Sequence, residues 1–325
     1  MRVPDDAQDE TVDVVIPVYN GERYIAAALR SVAGQTHLPA KIVVVDDGST
    51  DGTALQIRNF TCRVPVEYVY KTNGGPNSAR NAGIVSCSSR YIAFLDADDE
   101  WYPEKIAEQL KVFRRNAYPD LGAVYCRYEI IDEKGDVTRD HFVLEADPSM
   151  RGRIFDRLLF GNRIAGSASA VLIKRYCFDR VGLFDESLRV SEDLDMWLRL
   201  SERCSFDFSP GVLVKIRRHG GNIQNDRRYM VVNHVRFLEK WSTRIVMDAG
   251  CTAVRRFELA RLICACKSVS FARTVIHSLS PSFRDIFFRS TFGSVWLYLI
   301  VIMPMTVFPA RTPLVSTATG TAELT

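Results

Sequence analysis

Asp96-Ala97-Asp98 follows a short apolar run, Tyr91-Ile-Ala-Phe-Leu-Asp96. If that run is a buried strand, its end places two carboxylates on the same side of an extended backbone. Paired carboxylates hold a hard divalent cation through oxygen and leave coordination positions open for substrate phosphates. The same residues also suit a helix N-cap with solvated acids, because Asp99 and Glu100 precede a helix-compatible stretch. A second acidic segment, Asp46-Asp-Gly-Ser-Thr-Asp-Gly-Thr53, ends another apolar run. It reads either as a tight turn with an N-cap at Ser49 or Thr50, or as hydrogen-bond acceptors for a ribose or base. A third segment, Gly74 to Gly83, is a glycine turn opening a helix with Arg80 one turn inside. Backbone amides and a guanidinium there can face a diphosphate, and a structural turn accounts for the glycines equally well.

Positioning these groups requires strands. Four runs rich in β-branched residues begin at Val12, Lys41, Val66 and Tyr91, each followed by a turn signal and a helix-compatible stretch. That alternation predicts a doubly wound, mostly parallel α/β sheet with helices on both faces. Its right-handed connections bring Tyr19-Asn20-Gly21, Asp46 to Ser49 and Asp96 to Asp99 to one edge, where a ligand crevice is expected. Beyond residue 100 the pattern predicts a helix over Pro103 to Asn116, a strand pair around Ala123 to Ile131 and a turn at Asp132 to Asp136. A strand from Ser169 to Lys174, a helix from Ser191 to Arg203 and an apolar run from Val212 to Ile216 follow.

These elements divide the chain. Residues 1–10 read as a disordered N-terminus, and 11–225 as one sheet domain with a nucleotide-binding half (11–99) and an acceptor half (100–225). Residues 226–281 read as a helical basic extension, and 282–325 as an apolar membrane-associating segment and tail. The 325 residues carry a formal net charge of +3, too balanced for a chain that wraps nucleic acid, so no nucleic-acid partner is expected. Eight cysteines without a CxxC pair read as buried reduced thiols of a cytosolic protein. Asp5, Asp6, Asp9 and Glu10 leave no room for the apolar core of a secretory signal.

Taken together, Val14-Val-Ile-Pro-Val-Tyr-Asn20, Asp46 to Thr53, Gly74 to Gly83 with its Ala-Arg-Asn core, and Phe94-Leu-Asp-Ala-Asp-Asp99 resemble, in order and spacing, the family 2 inverting glycosyltransferases of GT-A fold. Gly182-Leu-Phe-Asp-Glu186 and Ser191-Glu-Asp-Leu-Asp-Met-Trp-Leu-Arg-Leu200 extend the resemblance, which covers 11 to about 222. It implies that Pro17, Tyr19 and Asp46 hold a base and ribose, that Arg80 lies near the diphosphate, and that Asp96 and Asp98 bind ribose and a divalent ion, Mn²⁺ or Mg²⁺. It further implies Asp193 as general base, and Arg217 and His219 as an R-x-H element closing over the nucleotide, with the imidazole on the metal. Glu192 beside Asp193 disfavours ionisation of both, which lifts one pKa toward working pH. Phe237-Leu-Glu-Lys-Trp241 does not match the Q/R-x-x-R-W element of processive members, so one sugar per encounter is expected. The first strand ends in Pro17-Val-Tyr-Asn rather than a GxGTR-type loop, which argues against a nucleotidylyltransferase.

The implied partners are a nucleotide-diphosphate sugar, with a lean toward UDP, and a glycan or lipid-linked acceptor. The competing class is a non-catalytic sugar-nucleotide-binding or membrane scaffold with the same fold. Ser290 to Ala310 carries no charge and includes Val-Trp-Leu-Tyr-Leu-Ile-Val-Ile-Met from Val295 to Met303. As a helix its 21 residues span about 31 Å, just a hydrocarbon core, but Gly293, Pro304 and Pro309 favour an interfacial segment over 283–310. Packing on the catalytic domain is the alternative. Basic residues upstream suit the inner face of a membrane, so a peripheral or anchored cytoplasmic location is expected.

Overall fold

The computed structural model describes residues 10–266, apart from 116, 139–146, 165, 166, 223 and 224, together with Val275. Residues 1–9 of the expected N-terminal arm and the whole of 282–325 lie outside the described residues. The first half alternates β1 (Val12–Val18), α1 (Ile25–Ala33), β2 (Lys41–Asp46), α2 (Thr53–Asn59), β3 (Val66–Tyr70), α3 (Pro76–Ser86) and β4 (Tyr91–Phe94). The second half adds β5 (Glu100–Trp101), α4 (Lys105–Arg115), β6 (Leu121–Ile131), α5 (Phe155–Leu159), β7 (Val171–Lys174), α6 (Tyr176–Val181), α7 (Glu192–Ser201) and β8 (Ser205–Arg217). Three helices follow: α8 (Arg227–Lys240), α9 (Ser242–Ile245) and α10 (Ala249–Ala265).

The strands form one sheet in the order β3-β2-β1-β4-β7-β6-β8-β5. Strands β3, β2, β1 and β4 are mutually parallel, as the repeating strand-helix pattern requires. Strand β7 is antiparallel to both β4 and β6, and β5 is antiparallel to β8, while β6 and β8 run parallel. The sheet is therefore mixed in its second half. The strand pair expected around Ala123 to Ile131 is a single strand, β6, because its partners β7 and β8 come from far along the chain rather than from a local hairpin.

Alternation along the inner strands shows why both faces must be covered. Val12, Val14, Ile16 and Val18 join Ile42 and Val44 in a cluster with α1 and α4, whereas Val15, Val43, Val45, Ile92 and Phe94 join α3 and α7 on the other face. Successive strand residues point to opposite faces, so an all-apolar strand such as β1 implies two layers. Pro17 fits within β1 because the Val15 carbonyl faces β4, where it accepts from Leu95, and the pairing of β1 with β4 ends at Val15. Two residues further on, the same edge has no ladder partner to lose.

The helices after β8 are part of the same body. Val231, Val235, Phe237, Leu238, Trp241, Ile245, Cys251, Leu259 and Ile263 belong to the α3 and α7 face cluster. Cys87, Cys126, Cys177, Cys204 and Cys251 are buried free thiols, as expected, whereas Cys62 and Cys266 are free but only half-buried. Among the described residues no helix is long and apolar enough to cross a membrane.

Candidate active site

The carboxyl ends of β1 and β2 are locked together by their loops. Asn20, in the left-handed region at φ 51°, accepts from the Thr50 amide (2.8 Å) and donates its own amide to Ser49 Oγ (2.9 Å). The Gly21 amide donates to Thr53 Oγ1 and the Gly52 amide to Glu22. Ser49 and Thr50 thus brace the neighbouring loop and cap no helix; the residue ahead of α2 is Gly52. Asp46 is fully buried and accepts from the Ser49 amide (2.8 Å) and the Tyr68 hydroxyl (2.7 Å), so it holds the loop in shape. Burial, together with that carboxylate, pushes the Tyr68 phenol up to about 12. Pro17 is buried in β1 opposite Val45, and Tyr19 stands 55% exposed at the rim, the group of this set most available to a planar ligand.

Asp47, which sequence reasoning left without a role of its own, fixes the glycine turn. It accepts from the amides of Gly74 (2.9 Å) and Gly75 (2.6 Å) and pairs with Lys71 (2.7 Å). Gly75 has φ 88°, and a Cβ there would lie 1.4 Å from a guanidinium nitrogen of Arg189. The conformation demands glycine, and a side chain there would also push the Arg189 guanidinium off the Gly74 carbonyl that it donates to. The turn aims α3 so that Arg80 reaches the centre of the crevice.

Arg80 is the hub. Its side chain is 6% exposed, and it pairs with Asp96 (2.9 Å) and Glu192 (3.1 Å) and donates to Asn77 (3.2 Å). Burial opposes its charge, but Asp96 and Glu192 outweigh burial and hold the guanidinium protonated. One arginine therefore ties the acidic turn after β4 to the first turn of α7.

The acidic turn differs from the extended arrangement expected. The Asp99 amide donates to the Asp96 carbonyl (3.0 Å), closing a turn, so strand alternation does not place these carboxylates. Asp96 faces Arg80, whereas Asp98 Oδ2 faces His219 Nε2 at 3.0 Å and Asn222 Nδ2 at 3.3 Å. Asp99 points inward to Ser169 Oγ (2.7 Å) and the Arg217 amide (3.0 Å). Burial, then the neighbouring carboxylates, raise Asp98 and lift Asp99 well above the usual carboxylate range. Ser169 was invisible as a site residue in sequence, yet it also receives the Asp96 amide (3.0 Å) and so sets the turn from both ends.

Arg217 and His219 arrive from the end of β8. Arg217 is buried and donates to the carbonyls of Asp98 (2.9 Å) and Asp132 (2.9 Å), pairs with Glu100, and lies over the Tyr24 ring at 4.9 Å. In this structure its guanidinium braces the acidic turn from behind. The Tyr24 ring also sits 5.0 Å from the His219 ring. Asp98 Oδ2 and His219 Nε2 lie 3.0 Å from each other, and this carboxylate and imidazole are ligand types that would suit a divalent cation completing its shell from phosphate oxygens and water. Among the described residues no group of three or more His, Cys, Asp or Glu gathers round one point, so the protein would supply only part of that shell.

Asp193 occupies the first turn of α7. Oδ2 accepts from Asn162 Nδ2 (2.9 Å) and Oδ1 from the Leu194 amide (2.7 Å). Burial, and secondarily the charge of Glu192, raise its carboxyl to about 7, only partly offset by the Leu194 amide, Arg80 and Asn162. Its acidic neighbours are otherwise engaged. Glu192 pairs with Arg80, and Asp195 is fully buried between Arg199, Lys240 and Trp241 Nε1.

Comparison with known proteins gives this geometry its context. Residues 13–182 match the model of glycosyl transferase family 2. An uncharacterized glycosyltransferase of Rickettsia prowazekii is 36% identical over 220 residues, which span 66% of this chain and 66% of that protein, just under two thirds of its length. Among solved structures, S. aureus TarS 1–349 in complex with UDP-GlcNAc is similar in fold, with a TM-score of 0.57 at 17% identity over 91% of this chain and 83% of that one. The mannosyltransferase PcManGT of Pyrobaculum calidifontis, in complex with GDP-Man and Mn²⁺, gives 0.54 at 18% identity over 93% and 90%. With its family model matched over more than half its length, the chain belongs to glycosyltransferase family 2.

Proposed function

We propose that the enzyme moves one sugar, with inversion, from a nucleotide-diphosphate donor of UDP type to a hydroxyl of a glycan or lipid-linked acceptor, with Mn²⁺ or Mg²⁺ held by Asp98 and His219. The observation that carries this reading is the pairing of one base with one acidic turn. Asp193, whose carboxyl burial and Glu192 raise to about 7, is joined to Asp96 through Glu192 and Arg80, while Asp98 faces His219.

A single displacement needs one base for the attacking hydroxyl and stabilisation of the departing diphosphate. Asp193 takes the proton from the acceptor oxygen as that oxygen attacks the anomeric carbon, a role suited to a carboxyl whose pKa lies near neutrality. A divalent ion, when bound, neutralises charge growing on the diphosphate. Tyr19 covers the base at the rim, Asp96 accepts from the ribose, and Arg80 fixes the separation between donor and base. The UDP-GlcNAc and GDP-Man complexes of structural neighbours support a nucleotide-sugar donor, and the Mn²⁺ in one supports the metal.

The test is a panel of nucleotide sugars, read by hydrolysis and by saturation-transfer signals, with and without excess EDTA. Binding that requires Mn²⁺ or Mg²⁺ and weakens in Asp98→Ala, with folding retained, is the expected result. Unchanged nucleotide affinity in EDTA removes the metal from the mechanism.

A further inference from the structure

Ser191, the residue before Glu192 and Asp193, lies in the left-handed region at φ 59° and ψ 23°. For a residue with a side chain this conformation is strained and persists only where its surroundings impose it. Its backbone sets the direction in which α7 begins, and hence where Asp193 points. A contact that holds its side chain comes from the helices after the sheet domain. Ser191 Oγ shares a hydrogen bond with Nδ1 of His234 on α8 (3.2 Å), a ring only 3% exposed. The other ring nitrogen stands 3.6 Å from Glu258 Oε2 on α10, and Arg255, 1% exposed, pairs with the same carboxylate at 2.7 Å.

Arg255 also reaches the opposite side of the base. Its Nε donates to the Leu159 carbonyl (2.7 Å) and a terminal nitrogen to the Leu158 carbonyl (3.2 Å), at the end of α5. Cys251 Sγ donates to the same Leu159 carbonyl. From that helix end the chain runs directly to Asn162, which donates to Asp193 Oδ2. The Asn162 side chain is itself oriented, because its Oδ1 accepts from the Ile164 amide (3.1 Å). A buried arginine on α10 thus approaches Asp193 by two routes, through α5 and Asn162, and through Glu258, His234 and Ser191, where the Glu258–His234 step is a 3.6 Å approach rather than a hydrogen bond.

We propose that Arg255, Glu258 and His234 form a clamp, supplied by α8 and α10, that holds Asp193 in its working position from both sides. These are positioning residues, and the inference rests on Asp193 being the base. Holding a reacting group to within a fraction of an ångström is worth large factors in rate, and a misplacement of about 1 Å costs about a hundredfold. Helices α8 and α10 are therefore part of the catalytic apparatus by positioning Asp193.

The test compares His234→Leu with His234→Asn in the full chain, measuring kcat, donor KM and the acid limb of the kcat profile. His234→Leu is expected to lower kcat about ten- to a hundredfold with donor KM within about twofold of wild type. Its acid limb should move down from neutrality toward the ordinary carboxylate range as Asp193 leaves its desolvated seat. His234→Asn, whose amide replaces Nδ1, recovers most of the rate. Should His234→Leu fail to fold, Glu258→Gln makes the same comparison from the more exposed end of the relay. Wild-type kcat with an unmoved acid limb overturns the clamp, as does loss of kcat equal in His234→Leu and His234→Asn. Asp193→Asn is run alongside. If it retains turnover the base assignment fails, whereas an inactive Asp193→Asn beside a fully active His234→Leu removes the clamp alone.

Discussion

Burial is the larger force on Asp193 and the charge of Glu192 the smaller, and both favour the protonated acid. With a folded pKa of about 7 against an ordinary value of 3.8, the native chain binds a proton there that the unfolded chain has released between those two pH values. Stability is therefore lost as pH rises through that window, while the carboxylate form that the proposed base role needs accumulates only at its upper end. Asp193→Asn is expected to lower turnover by about 10² to 10⁴ with donor binding nearly intact. The same substitution should raise the melting temperature relative to wild type at pH 8, the difference closing below pH about 4. A thermal melt at the two pH values beside a turnover assay checks both parts; a variant less stable than wild type at pH 8 contradicts the burial account. Sequence alone points to Glu192 as the cause of the shift, because adjacency is visible in a string of letters. The larger cause is burial, which adjacency in the sequence does not reveal.

At the scale of elements, the strand-helix alternation of the first hundred residues was fully legible, since buried parallel strands carry unbroken apolar runs such as Val12 to Val18. The second half was less so. Strand β8 includes Pro210 and Gly211 and pairs with β6 through register shifts, so its periodicity is broken and only Val212 to Ile216 stood out. The sequence suggests an extended acidic segment because the bond that closes the turn, from the Asp99 amide to the Asp96 carbonyl, is held by Ser169, just ahead of β7, and by Arg217 at the end of β8, both far along the chain. Helix α3 illustrates how local composition still encodes fine positioning. A Cβ at Gly83 would lie 2.3 Å from Val15 Cγ1, so this helix approaches β1 closely only because the residue is glycine. Gly83→Ala is expected to cost about 1–3 kcal/mol by overpacking. Since the displaced helix carries Arg80, donor affinity should fall as well. Denaturant titration with a binding isotherm checks this, and a stable variant with weakened donor binding would point to Arg80 alone rather than to the helix as a unit.

For the whole molecule, the chain after β8 divides by what it does to the crevice. Helices α8 to α10 share the buried cluster of the α3 and α7 face, and so does Val275, whereas the uncharged run from Ser290 to Ala310 follows that packed region in sequence. We propose that the run binds a membrane surface. Val295 to Met303 is nine consecutive apolar residues including Trp296 and Tyr298, a composition that marks a membrane or partner site when it is not covered. Arg284 and Arg289 precede it and suit anionic headgroups. An enzyme held at the surface that carries a lipid-linked acceptor meets it at a raised effective concentration. Truncation before Ser282 is therefore expected to move the protein from the membrane to the soluble fraction with donor binding and turnover on a soluble acceptor preserved. Truncation before Ala249 removes Arg255 and Glu258 and should lose turnover even where donor binding survives. A full-length protein already soluble without detergent, or a catalytic domain that unfolds on truncation before Ser282, would instead make the tail a packed structural element.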